Sequence, residues 1–153
     1  MNFFTELIQN KILLSAVTGW VIAQVLKTFI HLWFTKTFVA ERLVGGGGMP
    51  SSHSATVCAL ATAVAMECGT GSAEFAIAAI LAIIVMHDAM GVRRETGIQA
   101  KLLNEIIEIF EEMGRGEISA NDKLKEFVGH TPIQVLIGGL LGILTAILSY
   151  IIF

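Results

Sequence analysis

Apolar residues gather in four runs along the chain, and the spacing predicts membrane spans over 12–34, 54–67, 74–90 and 132–153. A spanning helix needs roughly 20 apolar residues, so the middle two are short and the outer two are long enough. The first run is interrupted by Gln24 and Lys27, both costly in hydrocarbon, whereas the last carries no charge. Residues 2–10 form a short amphipathic lead-in. Between the third and fourth runs lies a charged stretch. There Ile98, Leu102, Leu103, Ile106, Ile107, Phe110 and Met113 recur at spacings of three and four with glutamates opposite. That period predicts an amphipathic helix over 98–113, ended by Gly114-Arg115-Gly116. Its apolar face is suited to the bilayer surface or to the helix bundle. A further short helix over 118–128, capped by Ser119, completes the pattern. The fold expected is an all-α polytopic bundle of about four transmembrane helices plus an interfacial helix, one domain over 1–153.

Composition sharpens this picture. Hydrophobic residues make up 54% and charged residues 15% of the 153 residues, with a mean hydropathy of +0.73. That is too apolar for an ordinary soluble domain. A net charge of −3 gives no basic footprint, so no nucleic-acid partner is expected. Cys58 and Cys68 lack metal-ligand spacing and read as free thiols. No basic leader or small-residue cleavage site opens the chain, so no signal peptide is expected.

With four spans, the loop 35–53 and the segment 91–131 share one side of the membrane. Lys36, Arg42, His53, Asp88, Arg93, Arg94, Lys101 and His130 all fall there, with Lys27 about two turns below the end of the first helix. Eight of the ten Lys and Arg flank the helices on this side, against Lys11 alone on the other. The positive-inside rule makes this face cytoplasmic in an integral membrane protein.

The densest chemistry is Gly45-Gly46-Gly47-Gly48-Met49-Pro50-Ser51-Ser52-His53-Ser54. Glycines let backbone amides approach a ligand closely. Pro50 suits a first helical turn, and the serines suit its cap. A helix start of this kind favours an anion, phosphate above all, and places His53 beside it. Gly48, Ser51 and Ser52 are therefore candidate phosphate contacts, together with Lys27, Lys36, Arg42, Arg93 and Arg94. Phosphate-ester hydrolysis needs cations for the oxygens, a nucleophile and an acid for the leaving alkoxide. Two histidines, His53 and His130, lie on the right face to supply the last two. Asp88 is placed to orient one of them, to pair with Arg93 or Arg94, or to hold a divalent cation.

Pro50-Ser51-Ser52-His53-Ser54 resembles the Pro-Ser-Gly-His motif of the type 2 phosphatidic acid phosphatase superfamily, which includes the vanadium haloperoxidases. Asp88-Ala89-Met90-Gly91-Val92-Arg93-Arg94, Gly97-Ile98-Gln99-Ala100 and Gly129-His130-Thr131-Pro132 are similar to stretches of its small divergent branch. The resemblance covers nearly the full chain. It implies a metal-independent phosphohistidine mechanism, with His53 as general acid, His130 as nucleophile and Arg93 or Arg94 on the phosphate. Lys27 or the Lys36/Arg42 pair stands for the first motif. The pattern departs from the superfamily in two places. A whole amphipathic segment separates Arg94 from His130, and Gln134 stands four residues after His130 where the motif has a carboxylate.

The expected activity is therefore hydrolysis of a lipid phosphate such as phosphatidylglycerophosphate, phosphatidic acid or a polyprenyl phosphate or diphosphate. Membrane lipids are the expected partners, and a homo-oligomer is compatible with the glycines. Two other classes fit the same residues: an anion or lipid-headgroup transporter or channel, and a catalytically inactive lipid-binding scaffold.

Overall fold

The computed structural model describes residues 2–37, 47–113, 124 and 129–152. Within them the chain is all-helical: α1 Phe3–Gln9, α2 Lys11–Thr35, α3 Ser52–Cys68, α4 Ala73–Met90, α5 Val92–Glu112 and α6 Pro132–Ile152. All four predicted spans lie within two residues of α2, α3, α4 and α6. Three of these, α2, α4 and α6, are long and apolar enough to cross a bilayer. At 17 residues α3 is shorter, so the expectation of four full spans is met for three. Arg42, Gly45, Gly46 and the helix expected over 118–128 lie outside the described residues, apart from Leu124.

The short helix is the centre of the bundle, in contact with α2, α4 and α6. Its direction follows from its two ends. The Ser51 N–H donates to the Gln134 carbonyl at 3.1 Å, and at the far end the Tyr150 hydroxyl donates to Glu67 at 3.0 Å. Sixteen residues separate these anchors on both helices (67 − 51 and 150 − 134). At 1.5 Å per residue, α3 and α6 therefore run side by side in the same direction for about 24 Å.

Small residues make this contact close. A Cβ on Gly138 would strike the Ser51 carbonyl, and one on Gly142 the Ala55 carbonyl. Gly19 of α2 is less tight, with a Cβ there falling 3.0 Å from that of Ala59. Ala55, Ala59 and Ala63, spaced one turn apart, are fully buried between the two neighbours. Lipid tails are as apolar as Leu, so helices in a membrane associate through close packing, for which small residues are suited. The bulky residues point outward instead: Ile77, Ile80, Ile83 and Ile84 of α4 and Leu136, Leu140 and Leu144 of α6 are exposed.

The amphipathic helix begins earlier than the sequence pattern suggests. It starts at Val92 rather than residue 98, separated from α4 by Gly91 alone. The Gly91 N–H closes α4 on the His87 carbonyl at 2.9 Å, and its own carbonyl accepts from Glu95 at 3.0 Å to open α5. Arg93 and Arg94 are thus first-turn residues of a helix, which an apolar period cannot reveal.

Candidate functional site

Four backbone elements meet at one end of the bundle. Ser51 caps α3, its hydroxyl accepting from the Ser54 N–H at 3.3 Å and from the Ser54 hydroxyl at 3.0 Å. Pro50 lies just outside this cap and not in the first turn, so the helix start falls on Ser52. His130 precedes α6, and its N–H donates to the Ala89 carbonyl at 3.0 Å, tying the end of α4 to the start of α6. Gly129, at φ +98°, passes directly over the Arg93–Arg94 backbone where any Cβ would collide. Only glycine combines that left-handed conformation with that approach.

These ties bring His53 and His130 together. Their rings meet edge to face with centroids 6.0 Å apart, although 77 positions (130 − 53) separate them in sequence. Lys27, 2% exposed, reaches the same end of the bundle with its Nζ 3.4 Å from the Ser52 hydroxyl. Its charge lies within coulombic reach of both histidines. An ionisable group buried in a membrane helix marks a functional site by default.

A cleft of about 530 Å³ opens beside His130. Gly47 and Gly48 form one wall, Arg94, Gly97, Ile98 and Lys101 of α5 a second, and Gly129 to Thr131 with Gln134 a third. Gly48, Arg94 and His130, three of the residues expected at the site, are thus brought to one cleft. Lys101 and Gln134 complete the walls as side chains that reading did not assign to the site. His53 adjoins the cleft through His130, and its Nδ1 is buried with no hydrogen-bond partner among the described residues.

Other predicted contacts fall elsewhere. The Ser51 hydroxyl is occupied by the cap and that of Ser52 by Lys27, and neither residue lines the cleft. Lys36 ends α2 in the left-handed conformation, exposed, and borders a separate groove with Phe29, Leu32 and Trp33. Arg93 is drawn off by Asp88, its Nε donating to the carboxylate at 2.8 Å. Asp88 is therefore a partner of Arg93, although its charge lies within coulombic reach of His53. No group of three or more His, Cys, Asp or Glu converges among the described residues.

Gln134 decides the state of His130. Its Oε1 accepts from the Thr131 N–H at 3.1 Å. A backbone N–H only donates, so this atom is the amide oxygen and not its nitrogen. The same oxygen lies 3.3 Å from His130 Nδ1, which must therefore carry the hydrogen, leaving Nε2 as the basic nitrogen of the neutral ring. Burial holds His130 below the ordinary histidine range; the charges of Lys27 and His53 act in the same direction, against the hydrogen bonds from Gln134 and the Gly48 backbone. At neutral pH the ring is uncharged with a fixed tautomer.

The model of the family described as "Divergent PAP2 family" matches residues 8–145. The chain belongs to the divergent PAP2 family. A relative in Bacillus subtilis (strain 168), the "Uncharacterized membrane protein YuiD", is 43% identical over 95% of this chain and 98% of its own length. No solved structure matches. Within the divergent PAP2 match lie the glycine loop, His53, Arg94, His130 and Gln134, and all but about the last two turns of α6.

Proposed function

We propose that this protein is a membrane phosphatase that hydrolyses the phosphomonoester or diphosphate of a lipid at the cytoplasmic face. One observation carries the reading: two histidines from distant parts of the chain meet at 6.0 Å beside a cleft walled by Arg94, Lys101 and the Gly47–Gly48 backbone. Cations, free amides and a neutral imidazole are what a phosphoryl group in transfer requires.

In the proposed reaction the phosphate enters the cleft against Arg94 and the glycine backbone. His130 Nε2 donates its lone pair to phosphorus, forming a P–N bond as the P–O bond to the lipid breaks. The departing alkoxide takes a proton from protonated His53; burial and the charges of Arg93 and Lys27 disfavour that form and Asp88 favours it, so the phosphate anion in the cleft must help to hold the proton. Water then attacks the phosphohistidine, losing its proton to His53; the P–N bond breaks and inorganic phosphate leaves. Buried Lys27 stabilises the charge on the transferring group throughout.

The test is phosphate release from a panel of lipid phosphates by the purified protein, with His53→Ala and His130→Ala beside it. Release should be inhibited by orthovanadate, resist EDTA and vanish in both variants. Quenching in alkaline detergent with a radiolabelled substrate should trap a phosphoenzyme that is stable to alkali and labile to acid in the wild type but not in His130→Ala. Turnover retained by a folded His130→Ala protein would overturn the mechanism. Loss of release in EDTA would bring in a divalent cation near Asp88.

A further inference from the structure

The helix α5 presents three different faces. Gly97, Ala100 and Asn104 are buried, and the Asn104 amide exchanges two hydrogen bonds of 2.9 Å with the Leu124 backbone. Arg94, Gly97 and Lys101 front the cleft, with Glu105, Glu108 and Glu112 continuing the polar side. The third face is an exposed apolar ridge, Ile98, Leu102, Ile106, Ile109 and Met113, between 45% and 54% exposed. At 100° per residue these five lie within an arc of about 80°. Ile98 belongs both to the cleft wall and to the ridge.

An apolar ridge that begins inside a cation-lined cleft matches one kind of ligand: an anionic headgroup joined to a hydrocarbon chain. The membrane supplies it, because α5 leaves the membrane helix α4 after a single residue, Gly91. We propose that α5 lies in the headgroup layer of the bilayer, and that Ile98–Leu102–Ile106 is the track for the chain of the lipid whose phosphate occupies the cleft. This rests on the reading of the cleft as a phosphate site and adds how the lipid approaches it: sideways from the leaflet, along α5. Arg94 and Lys101, seven residues apart on one helix, flank the entrance at an axial separation of about 10 Å.

The experiment is fluorescence quenching in nanodiscs with full-length protein. Trp20 and Trp33, the two tryptophans of the chain, are replaced by Phe, and a reporter is placed on the ridge (Leu102→Trp, with Ile106→Trp as a second) or on the polar side about 120° from its centre (Glu108→Trp). The probes are two lipids with brominated chains: phosphatidylcholine, and a lipid phosphonate whose C–P bond cannot be hydrolysed. Both ridge reporters should be quenched by either lipid, and the Glu108→Trp reporter by neither. A charge-assisted contact in the cleft should let the phosphonate act at about tenfold lower mole fraction than phosphatidylcholine. Adding Arg94→Gln and Lys101→Gln should abolish that preference but keep the quenching by phosphatidylcholine. Unquenched ridge reporters, or equal potency of the two lipids, would overturn the proposal. The phosphonate makes this result independent of turnover: phosphate release without the preference overturns the track alone, and the preference without release overturns the reaction alone.

Discussion

Gln134 is where the proposed chemistry is most exposed to test, because its amide oxygen accepts from His130 Nδ1–H and so favours the charged ring against the effect of burial. Gln134→Glu keeps the shape and adds a charge. At the observed 3.3 Å from Nδ1, a carboxylate facing an imidazolium in an effective dielectric of about 20 gains about 5 kcal/mol, which is a ceiling. Residue 134 is only partly buried, and comparable pairs shift a pKa by about 1 to 3 units. The sign is fixed. The nucleophile is the neutral ring, so the rate rises with pH as His130 loses its proton. In the native protein burial lowers the pH of that rise; the added carboxylate stabilises the imidazolium and moves it upward by one unit or more.

Gln134→Ala makes the opposite test. It deletes the acceptor for His130 Nδ1 and for the Thr131 N–H, so the tautomer is no longer selected and the ring is free to turn. Losing a hydrogen bond worth about 1 to 1.5 kcal/mol lowers the rate about tenfold, and because that bond favours the charged ring the rise moves to lower pH. The assay is kcat/KM for phosphate release between pH 5 and 9 with all three proteins. An acid limb that does not move in Gln134→Glu would refute the argument, since it would mean that the rate does not depend on the charge of His130.

Two further changes separate packing from chemistry. Gly142→Val would drive two methyl groups into the Ala55 carbonyl; overpacking of this kind costs about 1 to 3 kcal/mol or more, so the thermal midpoint in detergent should fall sharply, and an unchanged midpoint would refute the close α3–α6 contact. Asp88→Asn breaks an ion pair whose partners are 49% and 42% exposed; such pairs contribute up to about 1 kcal/mol, so stability should barely change and phosphate release should drop less than about tenfold, whereas a loss above a hundredfold would give Asp88 a direct part in orienting His53.

What the sequence revealed divides along physical lines. The helices α2, α3, α4 and α6 were legible because hydropathy is decided residue by residue, and their parity placed His53, Asp88, Arg94 and His130 at one end before any contact was known. The Gly138-x-x-x-Gly142 spacing that seats α6 on α3 is also a readable signal, though it competes with a sea of similar apolar residues. Three features stayed out of reach. Arg93 and Arg94 break the apolar period, which hid the true start of α5. Ser51 and Ser52 have the side chains of phosphate ligands, and only their hydrogen bonds show that they serve the cap and Lys27 instead. Gln134 lacks the charge that draws attention to an orienting residue, and its role follows from a Thr131 N–H that identifies its oxygen.

The arrangement also explains why so short a helix sits at the centre. The relative height of α3 and α6 is fixed twice: near the cleft by Ser51 on Gln134 and Gly138, and at the far end by Tyr150 on Glu67. A slip of one residue along either helix is about 1.5 Å of rise and 100° of rotation. Such a slip would withdraw Gly138 and Gly142 from the carbonyls they accommodate and carry His53 away from His130. The glycine contact and the Tyr150–Glu67 bond therefore set the distance between two histidines on separate helices. A histidine pair divided in this way needs a rigid spacing more than a large core, and small residues in close contact supply it in a membrane. The cleft itself is left to elements outside this contact, the Gly47–Gly48 backbone and α5, which are free to differ in shape while the histidine spacing stays the same.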